Sequence, residues 1–107
     1  MTHPLVISDR AREQLEATCR WWAEKWSVEQ AERWYDGFAE ALSSLRENPE
    51  SLPRAAEDHL FPFDVRQLNY GFSSKPTHRA LFTIRPDMVY VFSIRHLAQK
   101  PITPDDH

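Results

Sequence analysis

Two periodicities divide this chain. From Ala11 to Leu45 apolar residues recur every three or four positions, whereas between Val65 and His96 they alternate or form short runs. The first spacing builds one stripe along a helix and the second builds strands. Ala11, Leu15, Thr18, Cys19, Trp22 and Trp26 share a helical face, and Ser8-Asp9 ahead of them offers an N-cap. Ser27-Val28-Glu29-Gln30 is a capping box that restarts the helix. The second arm is expected to bury Ala31, Trp34, Tyr35, Phe38, Ala41, Leu42 and Leu45, with Asp36, Glu40 and Glu47 outward, and to stop at Asn48-Pro49. Two amphipathic helices joined by so little chain must fold back as an antiparallel pair. An aromatic stripe at this spacing, Trp22 and Trp26 included, is expected in the core rather than as a platform for stacking bases. Cys19 on the same stripe is expected to be packed, not reactive.

Leu5-Val6-Ile7 reads as a short extended entry, and three longer strands follow the helices: 65–71, 78–84 and 88–96, each with an arginine set into it. Pro86-Asp87 lies between two alternating runs, so the hairpin can be registered from its turn. With Arg85 opposite Met88, one side pairs Ile84 with Val89, Phe82 with Val91 and Ala80 with Ser93. The other pairs Thr83 with Tyr90, Leu81 with Phe92 and Arg79 with Ile94, and His96 continues that side. The compact set Ile84, Val89, Phe82 and Val91 is the better candidate for the face covered by helices. The aromatic, arginine-bearing face is left over, and an uncovered apolar face of that kind marks a partner or ligand surface.

Residues 49–64, with Pro49, Pro53, Pro62 and the charged stretch Arg54-Ala55-Ala56-Glu57-Asp58, are expected to lie as a loop over the surface. The order is then strand, helix, helix, strand, strand, strand, giving an α+β domain with a helical hairpin on one face of a small antiparallel sheet. At 107 residues and 41% apolar content, residues 1–107 form one domain with a single modest core. No stretch is long enough to span a membrane, and no signal peptide is expected, since the start lacks a basic and apolar leader. One cysteine rules out an internal disulfide framework and a cysteine metal cluster, and a reducing, cytoplasmic setting is the natural expectation. The net charge of −3 conceals an asymmetry: residues 1–57 hold seven basic and eleven acidic side chains, residues 59–100 six and two. An anionic partner therefore suits the sheet better than the helices.

Here the residues reach a resemblance. Ser8-Asp9-Arg10-Ala11, Ala31-Glu32-Arg33-Trp34, Leu45-Arg46-Glu47-Asn48-Pro49, Val65-Arg66-Gln67-Leu68, His78-Arg79-Ala80-Leu81-Phe82 and Val89-Tyr90-Val91-Phe92-Ser93-Ile94-Arg95-His96 stand in an order that resembles the RelE/ParE toxin superfamily of bacterial type II toxin–antitoxin systems. The resemblance implies a small toxin whose active surface is masked by a cognate antitoxin, with the leftover face around Leu81, Tyr90, Phe92 and Ile94 as its seat. One branch of the superfamily looks like ribosome-dependent endoribonucleases acting on messenger RNA; the other poisons DNA gyrase. The resemblance implies no cofactor and no metal, so any cleavage would be metal-independent. Arg79 matches the strand arginine placed near a scissile phosphate, and His96 could serve as acid or base. Arg66, Arg95 and Lys100 could add anion-binding charge, although Arg95 falls on the other parity from Arg79 unless the strand bends. The chain departs from the ribonuclease pattern: it has three lysines, Lys25, Lys75 and Lys100, no tyrosine after Tyr90, and an acidic tail, Pro101 to His107. That favours a gyrase-directed toxin, with the ribonuclease and a non-catalytic binding module as alternatives.

Overall fold

In a computed structural model, residues 3–71 and 75–104 are described. β1 (Leu5–Ile7) leads into α1 (Asp9–Lys25) and α2 (Val28–Ser43), and β2 (Arg66–Tyr70), β3 (His78–Ile84) and β4 (Val89–His96) complete the fold. The sheet order is β1-β4-β3-β2, with β1 parallel to β4 and the other pairs antiparallel. The entry segment is thus the fourth strand of a mixed sheet.

The helix boundaries follow from their caps. Ser8 Oγ accepts from Ala11 N–H at 3.0 Å, and Ser27 Oγ accepts from Gln30 N–H at 3.1 Å. Each bond satisfies one of the donors a helix start leaves free. The two helices cover one face of the sheet. Ala11, Leu15, Trp34, Phe38, Leu42 and Leu45 meet Ala80, Phe82, Val89, Val91 and Ile94 in one buried cluster. The stripe is cut short at its far end: Trp22 is half-buried, while Trp26 is 64% and Trp21 48% exposed, because the last turns of α1 overhang the sheet. Tyr70 of β2 stacks on Phe38 at 4.7 Å between ring centroids, and its hydroxyl reaches α2 at Gly37. A Cβ there would stand 2.0 Å from that oxygen, so the ring's seat requires glycine.

The β3–β4 register begins as the turn dictates. Arg85 N–H donates to Met88 O at 2.7 Å, and Ile84, Thr83 and Phe82 lie opposite Val89, Tyr90 and Val91. The register then shifts between Leu81 and Phe82. Leu81 stands opposite Ser93, Ala80 opposite Ile94, Arg79 opposite Arg95 and His78 opposite His96. Phe92 is the extra residue of a β-bulge, which turns every later side chain of β4 to the other face. The pairings expected for Ala80, Leu81 and Arg79 are each displaced by one. α1 completes the bulge, since Gln14 Oε1 accepts from Ile94 N–H at 2.7 Å.

The second sheet face is not open. Ala55, Phe61, Val65 and Ile102 cover Leu81 and Phe92 in a second buried cluster, with Phe63 and Tyr90 at its margin. The proline-bearing connection lies along the β2 edge: Ala55 N–H donates to Val65 O at 2.8 Å and Gln67 N–H to Pro53 O at 3.1 Å. Asp58 Oδ1 accepts from Val65 N–H at 2.7 Å, folding the loop back on itself. The expectation of a loop is right. The expectation that it leaves the aromatic face uncovered is corrected.

Candidate functional site

Arg79 points into this second cluster and is 7% exposed. Its Nη1 donates to Glu57 Oε1 at 2.8 Å and to Gln67 Oε1 at 3.1 Å, and its Nη2 donates to Glu57 Oε2. The fork of the guanidinium is thus matched to one carboxylate. Glu57, 1% exposed, also accepts from Ile102 N–H at 3.1 Å, so one side chain ties strand, connection and tail together. Burial pushes the Glu57 carboxyl up, but the bonds from Arg79 and Ile102 outweigh it and the group lies below its ordinary value. A charged pair with its polar atoms bonded is the form in which burial is tolerated. Arg79 therefore has no access to a phosphate without breaking this pair.

His96 does not share a face with Arg79. The bulge places it on the helix side, opposite His78, with ring centroids 5.0 Å apart. Arg95, expected on the opposite parity, is instead cross-strand from Arg79, and its Nη2 donates to Lys100 O at 2.7 Å. Arg66 donates to Leu52 O at 2.6 Å and Glu50 O at 3.2 Å, so it fastens the connection. Lys100 is exposed. Arg79 and Arg95 are neighbours on one face, but the first is bonded to Glu57 and the second to Lys100 O, and His96 lies on the other face. Of the four residues expected to form a free apolar face, Leu81 is 0%, Phe92 3% and Ile94 4% exposed; Ile94 lies in the helix-side core, and only Tyr90 is half-exposed, under the Arg85 guanidinium at 4.5 Å.

The open apolar surface lies elsewhere. Where α1 overhangs the sheet, Ala17, Thr18, Trp21, Trp22, Trp26, Thr77, His78 and His96 line a groove of about 500 Å³. Trp21 and Trp22 meet edge to face at 5.5 Å, and Trp22 and Trp26 are 6.3 Å apart. His78, 7% exposed, packs on Trp34 at 5.3 Å, and its Nδ1 lies 2.8 Å from Thr77 Oγ1. Burial and the facing His96 ring push its pKa down to about 4, so it is neutral at physiological pH. Ala98 N–H donates to His96 Nδ1 at 3.0 Å, which leaves the proton of the neutral ring on Nε2. In that tautomer Nε2–H is the ring's donor. No three His, Cys, Asp or Glu side chains gather as a metal site among the described residues.

Sequence reasoning missed Glu57, read as part of a solvated charge run, and the groove. Trp21, Trp22 and Trp26 carried a signal, since three tryptophans within six positions spread over more of a helix than one sheet contact buries.

No helix among the described residues is long and apolar enough to cross a membrane. No curated protein matches the chain. Among solved structures, a chain of the chromosomal ParDE TA system from P. aeruginosa is similar, with a TM-score of 0.73 at 18% identity, over 89% of this chain and 96% of that one. That likeness is one of fold. The family model described as "ParE toxin of type II toxin-antitoxin system, parDE" matches residues 5–101, and with nearly its whole length so matched, the chain belongs to the ParE toxin family.

Proposed function

We propose that the chain inhibits growth by poisoning DNA gyrase in the cytoplasm, and that a cognate antitoxin neutralises it. Family membership supports a toxin with an antitoxin partner, and the solved chain of similar fold comes from a ParDE system. The observation that carries the choice of target is the state of Arg79. RNA cleavage through a 2′-hydroxyl needs a base, an acid and cations converging on one phosphate. Here the candidate cation is spent on Glu57, and the candidate acid or base, His96, lies across the sheet. A toxin that binds and traps its target needs no such constellation.

Inducible expression in bacteria, followed by a gyrase cleavage assay and primer extension on cellular messages, tests the reading. Gyrase-linked DNA breaks with intact messages are the expected result. Discrete message cuts without DNA breaks would overturn it in favour of the ribonuclease, and Arg79→Ala would then be expected to lower cleavage by about 10²–10³. Binding of the target without either lesion would leave only the binding module.

A further inference from the structure

The groove under the end of α1 combines three features that a surface exposed by chance does not. Its walls are tryptophan, with Trp21 and Trp26 about half and two-thirds exposed, and tryptophan is the side chain most enriched among residues that dominate binding. Its floor holds His78, more than nine-tenths buried, whose Nδ1 is engaged by Thr77, so the atom it can offer a ligand is Nε2; no described residue hydrogen-bonds that atom. Its rims are cationic or donating. Lys25, seven positions after Thr18 and four after Trp21, lies on the groove side of α1 and makes no ion pair among the described residues. His96, opposite, is held by Ala98 in the tautomer that presents Nε2–H.

We propose that this groove seats the antitoxin and takes an apolar stretch of it that carries carboxylates. Apolar side chains lie between Trp21 and Trp26, and acidic ones meet Lys25 at the helix rim and the His96 Nε2–H at the sheet rim. The inference rests on the reading that an antitoxin neutralises this chain, and adds where and by what chemistry it is held. A nucleic-acid strand could stack on the same tryptophans, but its backbone needs cations at successive phosphates, and no lysine or arginine is among the residues that line the groove. The sheet face first expected to receive the antitoxin is occupied by the chain's own connection and Ile102.

The test is the release of the antitoxin encoded beside the toxin gene from co-purified complexes of the full-length chain. Trp21→Ala and Trp26→Ala, at exposed positions, are expected to speed release roughly 10- to 100-fold. Lys25→Glu is expected to weaken binding about tenfold, with the salt dependence of affinity reduced. Leu60→Ala, an exposed apolar side chain on the connection, is the control and leaves release unchanged, and thermal midpoints confirm that each variant is folded. Wild-type release from all three groove variants would overturn the inference while the antitoxin reading stood. A wild-type chain that binds no antitoxin would overturn both. Groove variants that lose only self-association, or only binding of a single-stranded RNA probe, would assign the groove to a second copy or to nucleic acid and also overturn it.

Discussion

On the helix side of the sheet, Phe38, Phe82, Val89 and Val91 are buried by side chains of two long helices; on the other side, Leu81 and Phe92 are buried under a connection and a tail with no regular element longer than one turn. The first face is built on apolar side chains, with the neutral His78 ring packed against Trp34. The second is organised by a charged pair, Arg79 with Glu57, to which the tail backbone is bonded. A helix satisfies its own backbone and needs only an apolar stripe to dock. An irregular segment brings unpaired polar groups with it, and fixing its path takes specific polar partners. The same sheet thus has one face specified by pattern and one specified by individual contacts.

The comparison breaks most readily at its apolar half. Phe38 is fully buried between Trp34 and Tyr70, and Phe38→Ala should cost roughly 3–5 kcal/mol in chemical denaturation, because the cavity cannot collapse against a rigid sheet. Unchanged stability would mean the helical layer is not the main core. On the other face, Glu57→Gln should cost about 3 kcal/mol by stranding a buried guanidinium, while Glu57→Leu combined with Arg79→Met should recover much of that loss. Equal losses in the single and double variants would show that the tail's bond to Glu57, not the pair, sets the energy.

Acid separates the two faces by their titrating groups. His78 has its pKa depressed to about 4 from the ordinary value near 6.5, so the unfolded chain binds its proton first. The stability it contributes is complete above about pH 6.5 and is lost as pH falls towards 4, on the order of 2 kcal/mol. Glu57, also depressed, adds a further loss only below the ordinary carboxylate range. Denaturation at stepped pH should therefore show two limbs, and His78→Gln should remove the upper one. If that variant keeps the full slope between pH 6.5 and 4, the acid sensitivity lies elsewhere. The smallest effect is at the helix–sheet contact: Gly37→Ala should cost roughly 1–2 kcal/mol despite alanine's better helix propensity, since its methyl collides with the Tyr70 hydroxyl. Tyr70→Phe in the same chain should relieve most of it.

The same division explains what could be read in advance. Caps at Ser8 and Ser27, the hairpin turn, the helical layer and the family resemblance were legible because local chemistry and period carry them. The parallel addition of β1 was not, since nothing in Leu5-Val6-Ile7 names a partner strand. Nor was the bulge, which depends on Gln14 of α1 meeting Ile94 N–H from eighty positions away in the chain. Misplacing that one residue joined Arg79 to His96 on paper and hid the pairing of His78 with His96. Glu57 could not be told from its charged neighbours, because only the return of Arg79 and Ile102 makes it a core residue.

The bulge also has a bearing on how this chain tolerates change. Phe92 acts as a phase inverter: upstream of it β4 speaks to one layer with its odd-numbered residues, downstream with its even-numbered ones. Deleting that single position would leave a regular ladder in which Ser93, Ile94, Arg95 and His96 keep both their partners and their faces. A relative with one residue fewer at this point would keep the same groove and lose only the Phe92 ring from the second cluster, so the bulge is where this strand can gain or shed a residue without re-addressing its neighbours.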